Sequence, residues 1–241
     1  MMRKWILVGL ALAGGLAWAP DVVAQITLTV RSGSAADVAG ITPIRDQFRT
    51  DLGGGTTAGP AGLFDDGVRQ RREINWDAVP LAFSAPSNNL PANFFNVNSP
   101  RGAIFETVGG STGFRVSANA ADGAVNFGEI DASYSTAFLQ FSPQKLFIAL
   151  DGTQMDVRFF VPGTTTPGGV RGFGVIFTDV EAPDTTTIQF FGPPMSRWAP
   201  SPHLPSRAEP GFRFLGRSWT AGSASSRASA LPRETRRWEL A

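Results

Sequence analysis

Apolar and polar positions follow three successive patterns along the chain. The first is an unbroken apolar run from Trp5 to Trp18, behind the basic pair Arg3 and Lys4. Val22 and Ala24 stand at the small −3 and −1 positions of a cleavage point, so residues 1–24 read as a secretory signal peptide and the mature chain begins at Gln25. The run falls short of the roughly 20 residues a membrane span needs, and Pro20-Asp21 closes it. No later segment is apolar enough to span. The expected location is secreted or extracytoplasmic, in a bacterial envelope or outside the cell.

The second pattern, over residues 25–71, mixes a strand, a helix and a loop. Ile26-Thr-Leu-Thr-Val30 alternates as a short strand. Thr42 then stands as a helix N-cap with Pro43 at the first helical position. Ile44, Phe48 and Leu52 fall on one face, and Gly53-Gly54-Gly55 ends the helix. A Gly/Thr/Pro-rich loop follows to residue 67.

The third pattern, over residues 72–193, is β. Phe114 to Ala118 alternates strictly, and Lys145–Leu150 and Met155–Val161 flank Asp151-Gly152, which reads as a hairpin turn. Val170–Val180 and Thr185–Phe191 follow, broken at Pro183-Asp184. Such spacing predicts a mainly β fold, an antiparallel β-sandwich or jelly roll with a short N-terminal helix and a disordered C-terminal tail. The pairs Phe94-Phe95, Phe159-Phe160 and Phe190-Phe191 put adjacent rings on opposite sheet faces, one of each in the core.

Composition changes the picture in two places. The 241 residues include no Cys and a single His, which excludes disulfides, thiol catalysis and zinc clusters and leaves a Ser-His-Asp triad or a multi-His metal site untenable. Residues 194–241 carry eight Arg and three Glu but no Lys or Asp, a net of +5 in a chain whose total is +1. Alternation fades there after Phe212-Arg-Phe-Leu215. Three origins fit this basic, low-order tail: a shifted reading frame of a GC-rich gene, a natural unstructured extension, or a basic segment for anionic polymers and membrane surfaces.

Candidate chemistry is sparse. Hard-cation sites need six to eight oxygens, and Asp65, Asp66, Asp179, Glu181 and Asp184 are the candidate ligands of a structural calcium ion. Asp beside Gly, Pro or Thr also simply makes turns. Trp76 with Asp77, and Tyr134, are candidate sugar-stacking positions; Trp76 after Ile74 fits core packing as well. Arg101, after an Asn-rich loop, either pairs with a core-edge carboxylate or is solvated. Gly168-Gly169 and Gly172-x-Gly174 lie in a strand pattern, where they permit curvature or a close neighbouring backbone rather than a phosphate loop.

Four segments together resemble a family of secreted bacterial lectin-like β-sandwich proteins: Arg72-Glu-Ile-Asn-Trp-Asp77, Phe94-Phe-Asn-Val-Asn-Ser-Pro-Arg-Gly102, Asp156-Val-Arg-Phe-Phe-Val-Pro-Gly-Thr164 and Gly172-Phe-Gly-Val-Ile-Phe-Thr-Asp-Val180. The resemblance covers about residues 41–191 and implies a fold; it brings no catalytic residue with it. It also implies a strand like Leu-Ser-Phe-Leu-Gly-Val after Phe191 and a closing Arg-Val-Arg-Ile strand. Gly211-Phe-Arg-Phe-Leu-Gly216 looks like the start of the first, before the sequence departs at Arg217. Together these readings lead to a secreted, non-enzymatic module for an extracellular glycan or cell-surface polymer, with no cofactor and no nucleic-acid partner. Two alternatives stand beside it: a structural envelope or matrix protein without a small ligand, and a carboxylate-pair glycoside hydrolase.

Overall fold

The structure, a computed structural model, describes residues 26–55, 61–62, 71–180, 186–192, 196–197, 211–221 and 237–240. In chain order the elements are β1 (Ile26–Ala35), α1 (Val38–Asp51), α2 (Phe94–Val97), β2 (Ala103–Thr107), β3 (Gly113–Val116), α3 (Tyr134–Ala137), β4 (Phe147–Leu150), β5 (Met155–Phe159), β6 (Gly172–Thr178), β7 (Ile188–Gly192), β8 (Ser196–Arg197), β9 (Phe212–Ala221) and β10 (Arg237–Leu240), with two 3₁₀ turns at Trp76–Ala78 and Leu81–Phe83. The strands pair antiparallel in three sheets, ordered β1-β9-β6, β2-β5-β10-β7-β8 and β3-β4. The fold is mainly β, as the alternation predicts.

Side chains from all three sheets meet in one core. Phe105, Val157, Phe159, Ile188 and Phe190 come from the five-stranded sheet, Phe114 and Val116 from β3, and Leu215 from β9, with Phe173, Val175 and Phe177 of β6 packed against them. The period of two explains the choice: odd positions of β6 and β9 face this core, and even positions face the other way. On that second side Ile41 and Phe48 of α1 cover Phe212 and Phe214, with Ile44, Leu52 and Ile176 around them. The β1-β9-β6 sheet is therefore apolar on both faces.

Glycines let α1 come this close. Gly174 and Gly216 are cross-strand partners. A Cβ at Gly174 would stand 2.8 Å from Phe48 Cε1, and one at Gly216 would stand 2.9 Å from Phe48 Cδ2 and 2.8 Å from Phe214 Cζ. Gly33 of β1 does the same for Ile44, where a Cβ would lie 2.9 Å from Cδ1. The nearest neighbour of a Cβ at Gly174 is thus a side chain, the Phe48 ring of the helix, with Phe214 Cζ at 3.0 Å and the Gly216 backbone at 3.1 Å.

The helix begins earlier than the capping pattern predicts. Asp37 is the N-cap, its carboxylate accepting from Gly40 N at 2.7 Å, and Pro43 lies inside the helix. Thr42, expected as the cap, donates its hydroxyl to the Val38 carbonyl at 2.7 Å. Asp is as good a cap as Thr, and the weak apolar pattern of Val38 to Gly40 hides the true first turn.

Asp151-Gly152 makes a turn, with Asp151 at φ 59°, but not the expected hairpin between β4 and β5. β4 pairs with β3, and β5 pairs with β2. The two ladders join end to end: Thr107 faces Met155, Gly113 faces Leu150, and five residues oppose four between them. Ser111 N bonds the Val108 carbonyl at 3.1 Å in a turn on one side while Asp151-Gly152 turns on the other, so both chains pass from one sheet to the next at the same corner. The corner is closed by the Thr112 hydroxyl on the Asp151 carboxylate and by Gly152, whose Cβ would stand 2.6 Å from Ser111 N.

The low-order tail expected over 194–241 is corrected over three segments. β8 pairs with β7 at the edge of its sheet, β9 is the central strand of its sheet, and β10 lies between β5 and β7. Phe212, Arg213, Phe214 and Leu215 are all buried, because this first part of β9 is covered on both faces and is apolar apart from Arg213. Arg213 itself donates to the carbonyls of Phe212 (3.0 Å) and Val180 (2.9 Å). Of the aromatic pairs, Phe159 and Phe190 are buried with Phe160 and Phe191 half-buried, as strands require, whereas Phe94 and Phe95 are both buried on the short helix α2.

Candidate functional site

The polar centre of the molecule is Glu73. Arg49, on the last turn of α1, grips its carboxylate with two bonds, Nε to Oε1 at 2.7 Å and Nη2 to Oε2 at 2.8 Å. Arg71 bonds Oε1 as well and reaches back to the carbonyls of Gly54 and Gly55. Arg101, on the turn between α2 and β2, donates Nε to the Glu73 carbonyl at 2.8 Å. Arg72 ties the same segment to the Pro100 carbonyl at 2.8 Å and to that of Gly62 at 3.1 Å. Planar guanidinium forks are suited to this work, since each can hold two acceptors at once.

Burial alone would raise the Glu73 pKa, but hydrogen bonds from Arg71 and Arg49 outweigh it and hold the carboxyl below its usual 4.5. Arg72 is pulled down from the ordinary arginine range by burial and then by the charge of Arg101. A lowered carboxyl pKa means that the folded state binds its proton less readily than the unfolded chain. Its stabilisation is complete above about pH 4.5 and fades as pH falls through the folded value. We expect the melting temperature to fall on acidification below pH 4.5, and a Glu73→Gln variant to show a shallower fall over that range. Equal slopes for the two proteins would contradict the assignment.

Beside Glu73 lies a cleft of about 230 Å³. Arg101, Asn75, Ser99, Glu73, Ala78, Phe94 and Phe95 line it. Local bonds set its shape. Asn75 caps the 3₁₀ turn by accepting from Asp77 N at 3.0 Å, while Ser99 N and Arg101 N donate to the carbonyls of Phe94 (3.0 Å) and Phe95 (2.7 Å). The two rings meet edge to face at 5.0 Å. Arg101 pairs with no carboxylate among the described residues and is half-buried. It holds the Glu73 backbone by Nε alone, and its two terminal nitrogens have no protein partner among the described residues.

Trp76 and Asp77, weighed as a sugar-stacking pair, do other work. Trp76 stacks on Phe147 at 4.2 Å and 4°, and meets Phe95 edge-on at 5.4 Å, so the face a sugar would need is in the core. We expect Trp76→Ala to cost about 3 kcal/mol in a urea titration, with Trp76→Phe recovering most of it. A loss under about 0.5 kcal/mol, the range of a surface change, would return the ring to the surface. Asp77 Oδ1 accepts from Ser142 Oγ (2.9 Å), Gln144 N (3.2 Å) and Lys145 N (2.9 Å), pinning the turn before β4. Tyr134 lies on α3 against Phe138 at 4.8 Å, apart from the cleft lining.

Lys145 is buried in the same region, its Nζ donating to the Val79 carbonyl at 2.7 Å and to Ser84 Oγ at 3.4 Å. It closes the end of the 3₁₀ turn that Trp76 begins. Of the calcium candidates, Asp65, Asp66, Glu181 and Asp184 lie outside the described residues. Asp179 ends β6 at φ 60° with its N–H on the Gly211 carbonyl at 3.4 Å. Among the described residues no group of three or more Asp, Glu, His or Cys comes together. The carboxylates Asp77, Asp131 and Asp151 make turns, and Glu73 is the one carboxylate lining the cleft. No helix among the described residues is long and apolar enough to cross a membrane.

The cleft was not legible from spacing. Its polar residues come from two segments more than twenty positions apart, and Phe94-Phe95 reads as strand until Asn96 is seen to bridge from α2 to Thr164 O at 2.8 Å. Comparison with protein-family models, with curated proteins and with solved structures finds no match to this chain.

Proposed function

We propose that the protein is an exported, non-enzymatic binding module that holds part of an extracellular glycan or cell-surface polymer in the Arg101 cleft. The observation that carries this reading is a concave site lined by a guanidinium with two nitrogens unpartnered among the described residues, by two aromatic rings, and by a hydroxyl and an amide. A few polar groups set in an apolar lining are how small-molecule sites fix orientation. The leader at residues 1–24 directs such a module outward, and the resemblance to lectin-like domains agrees with a binding role.

Hydrolysis finds little support. A glycosidase needs two carboxyl groups flanking one bond, and the single carboxylate here is already held by Arg49 and Arg71. The test is a glycan array probed with the folded mature chain and with an Ala78→Trp variant that fills the cleft. Binding by the first and loss by the second is expected. No binding above background by either would overturn the reading and favour a structural envelope role, which fractionation with the cell surface would then check.

A further inference from the structure

The polar lining of the cleft is not neutral. Among the described residues, Asp46 is shared by Arg45 and Arg49, and Glu73 by Arg49 and Arg71. Both anions are thus spent on the arginines behind the cleft, and Arg101 faces it with its outer nitrogens open. Arg72 adds a second positive charge close behind, held by the carbonyls of Pro100 and Gly62. A ligand entering here meets the Arg101 guanidinium, which has no carboxylate partner among the described residues. Space sets the other limit. At about 230 Å³ the cleft is smaller than the ~300 Å³ at which drug-sized sites begin, so it admits one ring and its substituent, not a run of sugars.

Resting on the binding-module reading above, we propose that the cleft is a subsite for a single carboxylate-bearing sugar, a uronate residue within an acidic polysaccharide. Arg101 takes the carboxylate through its two terminal nitrogens, a planar group on a planar fork. Ser99 and Asn75 are within the lining to meet ring hydroxyls, and Phe94 and Phe95 to meet the apolar side of the ring. Nε stays on the Glu73 carbonyl throughout, which fixes the plane of the fork before the ligand arrives, so little side-chain freedom is lost on binding.

The experiment is calorimetric titration of the mature chain with a trimer of galacturonic acid, with the matching trimer of galactose, and with a sulfated galactose trimer. We expect the uronate to bind at least about tenfold more tightly than the neutral trimer. Arg101→Gln is expected to erase that preference while the melting temperature stays near that of the parent. Ala78→Trp, which leaves every charge in place, is expected to block all three. Equal affinity for acidic and neutral trimers overturns the proposal but leaves a glycan site standing, as does a preference that survives Arg101→Gln. A sulfated trimer that binds as well as the uronate also overturns it, since the site would then read charge and not a planar carboxylate. Failure of all three trimers to bind removes the module reading itself.

Discussion

A chain that stops at residue 210 is expected to lose its cooperative unfolding transition. β9 pairs along its whole length with β1 and from Phe212 to Ser218 with β6, so its removal leaves both neighbours without a partner. Phe212 and Phe214 are the floor on which α1 rests, and Leu215 belongs to the main core. Burying those three side chains stabilises by roughly 1.5–3 kcal/mol each, a sum comparable with the 5–15 kcal/mol that separates a whole domain from its unfolded state. Far-ultraviolet circular dichroism during a urea titration reads the outcome. A sharp transition in the shortened chain, with the slope of the full one, would mean that β1 and β6 close on each other and that β9 is dispensable.

Gly216→Val is expected to destabilise by about 3 kcal/mol, at the upper end of what overpacking a close-set core costs. The new side chain begins where Phe48 and Phe214 already stand within 2.9 Å, on a central strand that can shift only by dragging two others. For a domain of this size that is a fall in melting temperature of roughly 10 °C. The cause can be separated from a general intolerance of valine. In a Gly216→Val, Phe48→Ala double variant the ring is gone, and the two losses should combine to less than their sum, because contacting residues do not add. Strict additivity would show that the strain lies elsewhere.

These two positions also mark how far the sequence can be read. Strand identity was legible where alternation was clean, as in Phe114–Val116, because one face meets the core and the other does not. Pairing was not. Asp151-Gly152 is a sound turn signal, yet whether a turn joins neighbours in one sheet or carries the chain around a corner depends on what packs against it, here Ser111. Alternation did not show the full length of β9 for a related reason: over Phe212–Leu215 the strand is covered by α1 on one side and the core on the other, and Arg213 inside it reads as a surface charge. The candidate site fared least well. Trp76, Asp77 and Tyr134 are types that often bind sugars, but residue type does not say which way a ring faces. The arginines matter through their partners, and a partner such as the carbonyl of Glu73 leaves no trace in a sequence.

Lys145 carries a consequence for how the molecule can be watched. The sequence has only two lysines, and the other, Lys4, stands in the proposed leader. In a mature chain cleaved as proposed, the sole side-chain amine is one whose nitrogen is bonded to Val79 O inside the fold. An amine-reactive label can therefore attach there only in the moments when the segment around Trp76 parts from the turn before β4. The rate of acylation at this one atom, read by mass spectrometry of the peptide that contains it, counts those moments directly, and a bound ligand that braces the neighbouring cleft should slow the clock.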